Sequence, residues 1–217
     1  MYRILLVVAI FLSAGRIEAA TLLVIGDSIS AGYGLADRST GWVALLGAAI
    51  DPQQNRVINA GISGDTTAGG LARLPALIRQ NSPDVIIIEL GANDGLRGIN
   101  LQEMEHNLRE MIAISKKASV TPVLIGMQMP PNFGKRFSER FEVVYHQLAK
   151  EMSVPIVPGF LKGVGDVPDL MQPDGIHPGE KAQPLLRDKV LPVIKPLLSS
   201  SHNPPNQSGT RKNDRQH

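Results

Sequence analysis

The chain has 217 residues, no cysteine and a formal net charge of +2. This length suffices for one domain with a substantial core, and the lack of cysteine excludes disulfides and thiol-linked lipid anchors. Residues 1–19 and 199–217 contain five basic and two acidic residues, so the rest of the chain has a net charge of −1. This charge gives no reason to expect nucleic-acid binding, which requires a basic surface.

The first 19 residues have the pattern of a secretory signal peptide. Arg3 gives a positive start, nine apolar residues follow at 4–12, and small residues precede Ala20. A membrane anchor would need about 20 apolar residues to cross the bilayer. We therefore predict export to the periplasm or the medium, with no stable membrane insertion after the signal is removed.

The other end of the chain is different in composition. Residues 199–217 are polar, rich in serine, asparagine and proline, and almost without apolar side chains, which predicts a disordered tail. Residues 20–198 remain as one folded body, without internal repeats or a linker. A small body of nearly neutral charge gives no reason to expect a protein partner, and we predict a monomer.

Apolar runs alternate with helical patterns through this body. The predicted strands are 21–26, 55–60, 84–90, 121–127 and 154–157. The predicted helices are 41–50, 67–80, 101–118, 135–152 and 178–198, the last with a kink or break at Pro184. Residues 85–88 are continuously apolar, as expected of a strand that is covered on both faces. The alternation predicts an α/β domain with a parallel sheet and helices on both sides.

Such a sheet binds ligands beyond the carboxyl ends of its strands. Ser28 follows the first predicted strand, residues 61–65 follow the second, and residues 91–94 follow the third. Asp174 and His177 lie in the loop after the fifth. All of these groups are therefore expected at the same edge of the sheet.

Ser28 lies in Gly26-Asp27-Ser28, directly after the first strand. A serine hydroxyl is a weak nucleophile until an adjacent base takes its proton. The alternative for this residue is a helix cap, and we expect Asp27 to hold the turn through nearby backbone N–H groups. A phosphate-binding loop is disfavoured, because the segment has neither the Lys-Ser/Thr pair nor the third glycine of such loops.

His177 is the best candidate for the base among the five histidines. The others lie in the tail or within helical patterns, at His106, His146, His202 and His217. Asp174 precedes His177 by three residues, so that a tight turn would bring the carboxylate to the imidazole, and Pro178 is expected at the first helical position. An ordinary turn with a helix cap is the alternative for this segment.

Two further segments offer donors for a developing oxyanion. Gly64 could bring a backbone N–H close to a ligand, and Asn93 places an amide just past a buried strand. Taken separately, the first could be a turn with a helix cap and the second an Asx-turn.

In this order, Gly-Asp-Ser, Gly64, Gly-x-Asn-Asp and Asp-Gly-x-His resemble the SGNH (GDSL) hydrolases. Longer stretches, such as Gly-Ala-Asn-Asp-Gly-Leu-Arg-Gly and Asp-Gly-Ile-His-Pro, are similar to the periplasmic acyl-CoA thioesterase, lysophospholipase and arylesterase subgroup. The resemblance covers residues 21–198 and implies a flavodoxin-like three-layer α/β/α sandwich with strand order 2-1-3-4-5.

The resemblance also implies the roles of individual residues. Ser28 would be the nucleophile, His177 the general base and then acid, and Asp174 the residue that orients the imidazole. The oxyanion hole would consist of the Ser28 N–H, the Gly64 N–H and the Asn93 side-chain amide. The substrate-binding residues would be Gly95 and Leu96, in a mobile loop at 95–100, and Ile176.

The predicted activity is hydrolysis of carboxylic esters and thioesters through an acyl-enzyme, without a cofactor. The predicted substrates are small molecules: acyl-CoA-type thioesters, lysophospholipids and aryl esters. Alternatives are a carbohydrate or aryl acetylesterase with the same triad and a periplasmic binding protein without turnover. We predict no metal site, because Asp27, Asp65, Asp94 and His177 lack metal-binding spacing.

Overall fold

The computed structural model describes residues 19–201, so most of the predicted signal peptide and tail lies outside the described residues. The strands are β1 (Ala20–Gly26), β2 (Asn55–Gly61), β3 (Val85–Glu89), β4 (Thr121–Ile125) and β5 (Ile156–Val157). The helices are α1 (Ser28–Ala31), α2 (Trp42–Ala49), α3 (Thr67–Asn81), α4 (Ala92–Leu96), α5 (Leu101–Lys117), α6 (Lys135–Glu151) and α7 (Gln183–Ser201). Short 3₁₀ turns span Arg38–Thr40, Pro131–Phe133, Pro168–Leu170 and Glu180–Ala182.

The five strands form one parallel sheet in the order β2-β1-β3-β4-β5, which confirms the predicted topology. β1 and β3 lie inside the sheet and every residue of both is buried. The continuous apolar run in β3 is explained by this position, because helices cover both faces of the strand.

The helices form two layers. α2 packs against α7 in one layer, while α3 packs against α5 and α5 against α6 in the other. α5 shows how the sequence specifies this packing, because Met104, Leu108 and Met111 recur at helical spacing and are all fully buried. The three-layer α/β/α arrangement predicted from the resemblance is confirmed.

The final part of the domain differs from the prediction. α7 begins at Gln183 rather than at 178, and Pro178 forms an isolated antiparallel bridge with Met171. Pro184 therefore lies in the first turn of α7, where its missing N–H costs no helical hydrogen bond, and it does not kink the helix interior. α7 also continues to Ser201, three residues beyond the predicted end of the body.

β5 is shorter than predicted, with two residues instead of four. Pro155 and Pro158 flank it, and a proline has no N–H to donate to a neighbouring strand. The pairing is limited to Leu124 and Ile125 of β4.

The strand register brings the loops after β1, β2 and β3 to one edge. Gly26 at the end of β1 pairs with Gly61 of β2 on one side and with Glu89 of β3 on the other.

Across residues 19–201, no helix is both long and apolar enough to cross a bilayer.

Candidate active site

Ser28 is held in place by the sharp turn from β1 into α1. Asp27 is the N-cap of α1, and its Oδ1 accepts a hydrogen bond of 3.0 Å from the Ile29 N–H. Gly32 ends the helix in the left-handed region at φ 70°, where glycine is favoured. Ser28 is thus the first residue of a four-residue helix at the carboxyl edge of the sheet.

The structure brings Ser28, His177 and Asp174 together in a hydrogen-bonded chain. The His177 Nε2 lies 2.9 Å from the Ser28 Oγ, and the His177 Nδ1 lies 2.7 Å from the Asp174 Oδ2. This geometry suits a neutral imidazole that donates from Nδ1 to the carboxylate and accepts the serine proton at Nε2.

Asp174 is fixed by its own turn. Its Oδ1 accepts hydrogen bonds from the backbone N–H groups of Ile176, at 2.9 Å, and His177, at 3.0 Å. Partial burial opposes ionisation, but these bonds and the imidazole outweigh it and lower the pKa of Asp174 to about 2. Asp174 is therefore a carboxylate at neutral pH, as the orienting role requires.

Gln172 links the serine loop to the histidine loop. Its backbone N–H donates to the His177 carbonyl at 2.8 Å, and its side-chain Nε2 donates to the Tyr33 carbonyl at 2.8 Å and the Pro178 carbonyl at 3.1 Å. The Tyr33 ring packs on the imidazole with 4.5 Å between centroids. No sequence pattern singles out Gln172 or Tyr33, because only the folded loops bring them to the base.

The two predicted oxyanion segments lie at the same edge. Gly64 has a left-handed φ of 78°, and its carbonyl accepts a 2.7 Å hydrogen bond from Arg97. Asn93 lies in the first turn of α4, after Gly91 at φ 119°, where a side chain would overlap the Tyr145 hydroxyl. Glycine is therefore favoured at position 64 by its φ and required at position 91 by the close approach of Tyr145.

A buried polar network fixes the Gly64 and Asn93 segments relative to each other. Asp94 follows Asn93 and accepts a hydrogen bond of 2.9 Å from the Thr67 N–H at the start of α3. The Thr67 hydroxyl also bonds Asp94, and the Asn107 amide of α5 donates to that hydroxyl at 3.1 Å. Three helices are thus connected directly behind the site, which limits relative movement of the donors.

Two carboxyl groups are buried below the nucleophile. Burial raises the pKa of Asp27 to about 6. Burial, together with the negative charge of Asp27, raises the pKa of Glu89 well above its usual range. Of the two acids, Glu89 has the more strongly raised pKa.

A buried acid of raised pKa makes stability depend on pH. The folded state binds the Glu89 proton more tightly than the unfolded chain does, so the free energy of unfolding decreases as pH rises past the ordinary glutamate value. Glu89→Gln removes this titration, and we expect its stability relative to wild type to rise between about pH 5 and pH 8. Urea unfolding at about pH 5 and about pH 8 measures the difference in the free energy of unfolding between the variant and wild type. The same difference at both pH values would contradict a raised pKa of Glu89.

A cavity of about 230 Å³ opens beside Ser28. Its lining residues are Asp27, Ser28, Ile29, Ala92, Asn93, Leu96, Gln128, Met129, Pro130, Leu161, Ile176 and His177. A second cavity of about 250 Å³ shares five of them, Gln128, Met129, Pro130, Leu161 and Ile176, so the two spaces adjoin along this wall. Because the wall is mostly apolar, it suits a hydrocarbon chain.

The predicted substrate-binding residues have different positions. Leu96 and Ile176 line the cavity, whereas Gly95 does not. Gly95 is buried inside α4, where a side chain would overlap Met129 and lie close to Phe141. The predicted mobile loop at 95–100 therefore begins with a helical turn, and Gly95 is needed for packing.

The apolar residues that follow β4 and β5 are divided between the cavity and the core. Met129 and Leu161 line the cavity, while Met127 and Phe160 are fully buried in the core.

Among residues 19–201, no group of three or more His, Asp or Glu side chains is placed to hold a metal ion.

A family model for the GDSL-like lipase/acylhydrolase family matches residues 24–184. Esterase TesA of Pseudomonas aeruginosa is 49% identical over 192 residues, which are 88% of this chain and 95% of that protein. Thioesterase 1/protease 1/lysophospholipase L1 of Escherichia coli is 45% identical over 183 residues, with 83% and 86% of the two chains covered.

A solved structure gives the same fold. The psychrotrophic esterase EstA from Pseudoalteromonas sp., inhibited by monoethylphosphonate, superposes with a TM-score of 0.76 at 41% identity. The superposition covers 82% of this chain and 98% of EstA.

Proposed function

Because the chain belongs to the GDSL-like lipase/acylhydrolase family, we propose that it is a serine hydrolase of carboxylic esters and thioesters. Its substrates include acyl-CoA-type thioesters, lysophospholipids and aryl esters. The main support for this proposal is the chain of hydrogen bonds from Asp174 through His177 to the Ser28 hydroxyl. An apolar cavity beside that hydroxyl supports an acyl substrate.

The reaction proceeds in two halves. The His177 Nε2 takes the Ser28 proton while Oγ attacks the substrate carbonyl, and the resulting imidazolium then protonates the leaving alcohol or thiol. An acyl-Ser28 ester remains. Water, deprotonated by the same nitrogen, attacks this ester, and the acid product leaves as Ser28 recovers its proton.

Charge on the carbonyl oxygen is stabilised by the Ser28 N–H, the Gly64 N–H and the Asn93 side-chain amide. Donors already fixed in place need no reorganisation when the negative charge develops. The network of Asp94, Thr67 and Asn107 supplies that fixation.

The loss of one of these donors gives a measurable effect. We expect Asn93→Ala to lower kcat on the order of 10²–10³-fold, the range for removal of an oxyanion-hole side chain. Steady-state kinetics on a p-nitrophenyl ester measures it. A kcat within a factor of two of wild type would remove Asn93 from the oxyanion hole.

The acyl chain is accommodated by the apolar cavities. Leu161 lines both, and its loop is anchored by Lys189, whose Nζ donates to the Gly159 carbonyl at 3.0 Å and the Phe160 carbonyl at 2.9 Å. Met129 lines both cavities from the opposite chain segment, and the flexibility of methionine favours tolerance of different chain lengths.

A bulkier side chain at this wall is expected to shorten the preferred substrate. Leu161→Trp should lower kcat/KM for a long-chain p-nitrophenyl ester by about 10-fold or more relative to a short-chain one, since lost methylene contacts discriminate in this range. The control is Val143→Trp, which places the same ring at an exposed position of α6. Equal chain-length profiles for the two variants would argue against an acyl site here.

A substrate panel tests the proposed activity as a whole. Wild type and Ser28→Ala are compared on p-nitrophenyl esters of increasing length, acyl-CoA, lysophospholipid and acetylated sugars. We expect Ser28-dependent turnover of the medium and long acyl substrates. Turnover of acetyl esters alone would instead favour an acetylesterase.

We further propose that the enzyme acts in the periplasm or the medium as a monomer. The signal-like pattern of residues 1–19 supports export. Release of activity by osmotic shock and elution at the monomer mass test these two statements. Activity retained in spheroplasts would contradict the first, and a dimer mass the second.

A further inference from the structure

Asp27 and Glu89 are buried beside the nucleophile, yet neither belongs to the Ser-His-Asp chain. Asp27 is 1% exposed and Glu89 is 0% exposed. Burial of a carboxyl group is costly unless hydrogen-bond donors compensate it. A pair of acids at this position therefore needs a specific explanation.

Each oxygen of Asp27 accepts from a different donor. Oδ1 accepts from the Ile29 N–H at 3.0 Å, and Oδ2 accepts from the Asn93 Nδ2 at 3.1 Å. A carboxylate satisfies two donors with two acceptor oxygens. Asparagine has a single acceptor oxygen, so its NH₂ group would face one of these donors.

The bond from Asn93 fixes which way its amide points. The Asn93 Nδ2 carries two hydrogens, of which one is directed to Asp27, and the other remains for the cavity that Asn93 and Ser28 line. A flipped amide would place its oxygen against the Asp27 carboxylate and leave no such N–H for an oxyanion. Asp27 therefore selects the orientation that catalysis uses.

Glu89 in turn holds the backbone of Asp27. Its Oε2 accepts from the Asp27 N–H at 3.2 Å and from the Ser30 hydroxyl at 2.6 Å. Gly26 allows this close approach, because a side chain there would overlap both the Ser30 hydroxyl and the Glu89 carboxyl. The glycine, the aspartate and the buried glutamate thus form one support below the nucleophile.

We propose that Asp27 is a positioning residue of the oxyanion hole, which acts on the reaction through the Asn93 amide. This inference rests on the proposed function, because it assigns Asn93 to the oxyanion hole. It explains why a carboxylate, with two acceptor oxygens, stands directly before the nucleophile.

A double-mutant cycle tests the proposal. Wild type, Asp27→Asn, Asn93→Ala and the double variant are compared for kcat and KM on one p-nitrophenyl ester. We expect Asp27→Asn to lower kcat by about 10- to 100-fold with KM nearly unchanged. This decrease is a part of the one that is expected when the Asn93 amide itself is removed. In the Asn93→Ala background the same change should lower kcat by less than about threefold.

Asp27→Ser keeps the experiment decisive if Asp27→Asn does not fold. A serine hydroxyl can still cap α1 through the Ile29 N–H but is too short to hold Asn93. Its losses should depend on Asn93 in the same way. Asp84→Asn is the matched control, since Asp84 accepts the Thr21 N–H at 2.7 Å at the opposite edge of the sheet.

The outcomes separate the two claims. Equal losses from the Asp27 change in both backgrounds would overturn the positioning role, because a merely structural defect does not depend on Asn93. A full-activity Asn93→Ala variant would overturn it too. An inactive wild type, or an active Ser28→Ala variant, would contradict the proposed function itself.

Discussion

Replacement of Ser28 by alanine is expected to lower kcat on the order of 10⁶-fold, the loss that removal of the nucleophile causes in a serine protease. The variant has no oxygen to form the acyl-enzyme, while the cavity and the oxyanion donors remain. Ester hydrolysis is measured with wild type and with Ser39→Ala as the control, a serine on an exposed 3₁₀ turn.

The interpretation of this result requires intact folding, which urea unfolding of the variant verifies. Ser28→Ala removes one buried oxygen that bonds the His177 Nε2, so only a small change in stability is expected. A Ser28→Ala protein with the same esterase activity as the Ser39→Ala control would contradict the nucleophile assignment.

Replacement of His177 by alanine is expected to lower kcat by about 10⁴–10⁶-fold, since the Ser28 hydroxyl loses its base and the leaving group its acid. The effect should approach that of Ser28→Ala, and the double variant should be no worse than the more damaged single one. Such non-additivity is typical of residues that act as one unit.

The chain provides a matched control for this change. His146→Ala removes an imidazole from the exposed side of α6, where it lies 3.9 Å from Glu142. Its activity should equal that of wild type. A His177→Ala variant that retained a tenth of the wild-type kcat would show that another group serves as the base.

Much of this site was predictable because its short motifs directly follow strands of a parallel sheet, whose carboxyl ends lie at one edge. Once alternating strands and helices indicated a parallel sheet, Ser28, Gly64 and Asn93 had to lie at one edge, as the register of β1 with β2 and β3 shows. His177 was found by elimination and by the carboxylate three residues before it. The strand order, by contrast, came from the family resemblance.

The remaining features depend on contacts between distant segments. The bond between Asp27 and Asn93 joins residues 66 positions apart, and it exists only because β1 and β3 are neighbours in register. The link from Gln172 to Tyr33 spans 139 positions in the same way. Single-segment patterns contain no information about such pairs.

Two differences from the predictions come from packing between separate segments of the chain. The family resemblance placed Gly95 in a loop, but it lies inside α4, where the absence of a side chain allows close packing against Met129. Pro178 was expected to begin a helix, but its segment pairs with Met171 and the helix starts at Gln183. At Pro178, pairing with Met171 outweighed the local preference for a helix start.

The most direct test of the account is reaction with a fluorophosphonate, followed by mass spectrometry of the digested protein. We expect one adduct per chain on the peptide that contains Ser28, with loss of activity in proportion to labelling. His177→Ala should label far more slowly. Full activity after exposure, or an adduct at another residue, would contradict the hydrogen-bonded serine as the reactive centre.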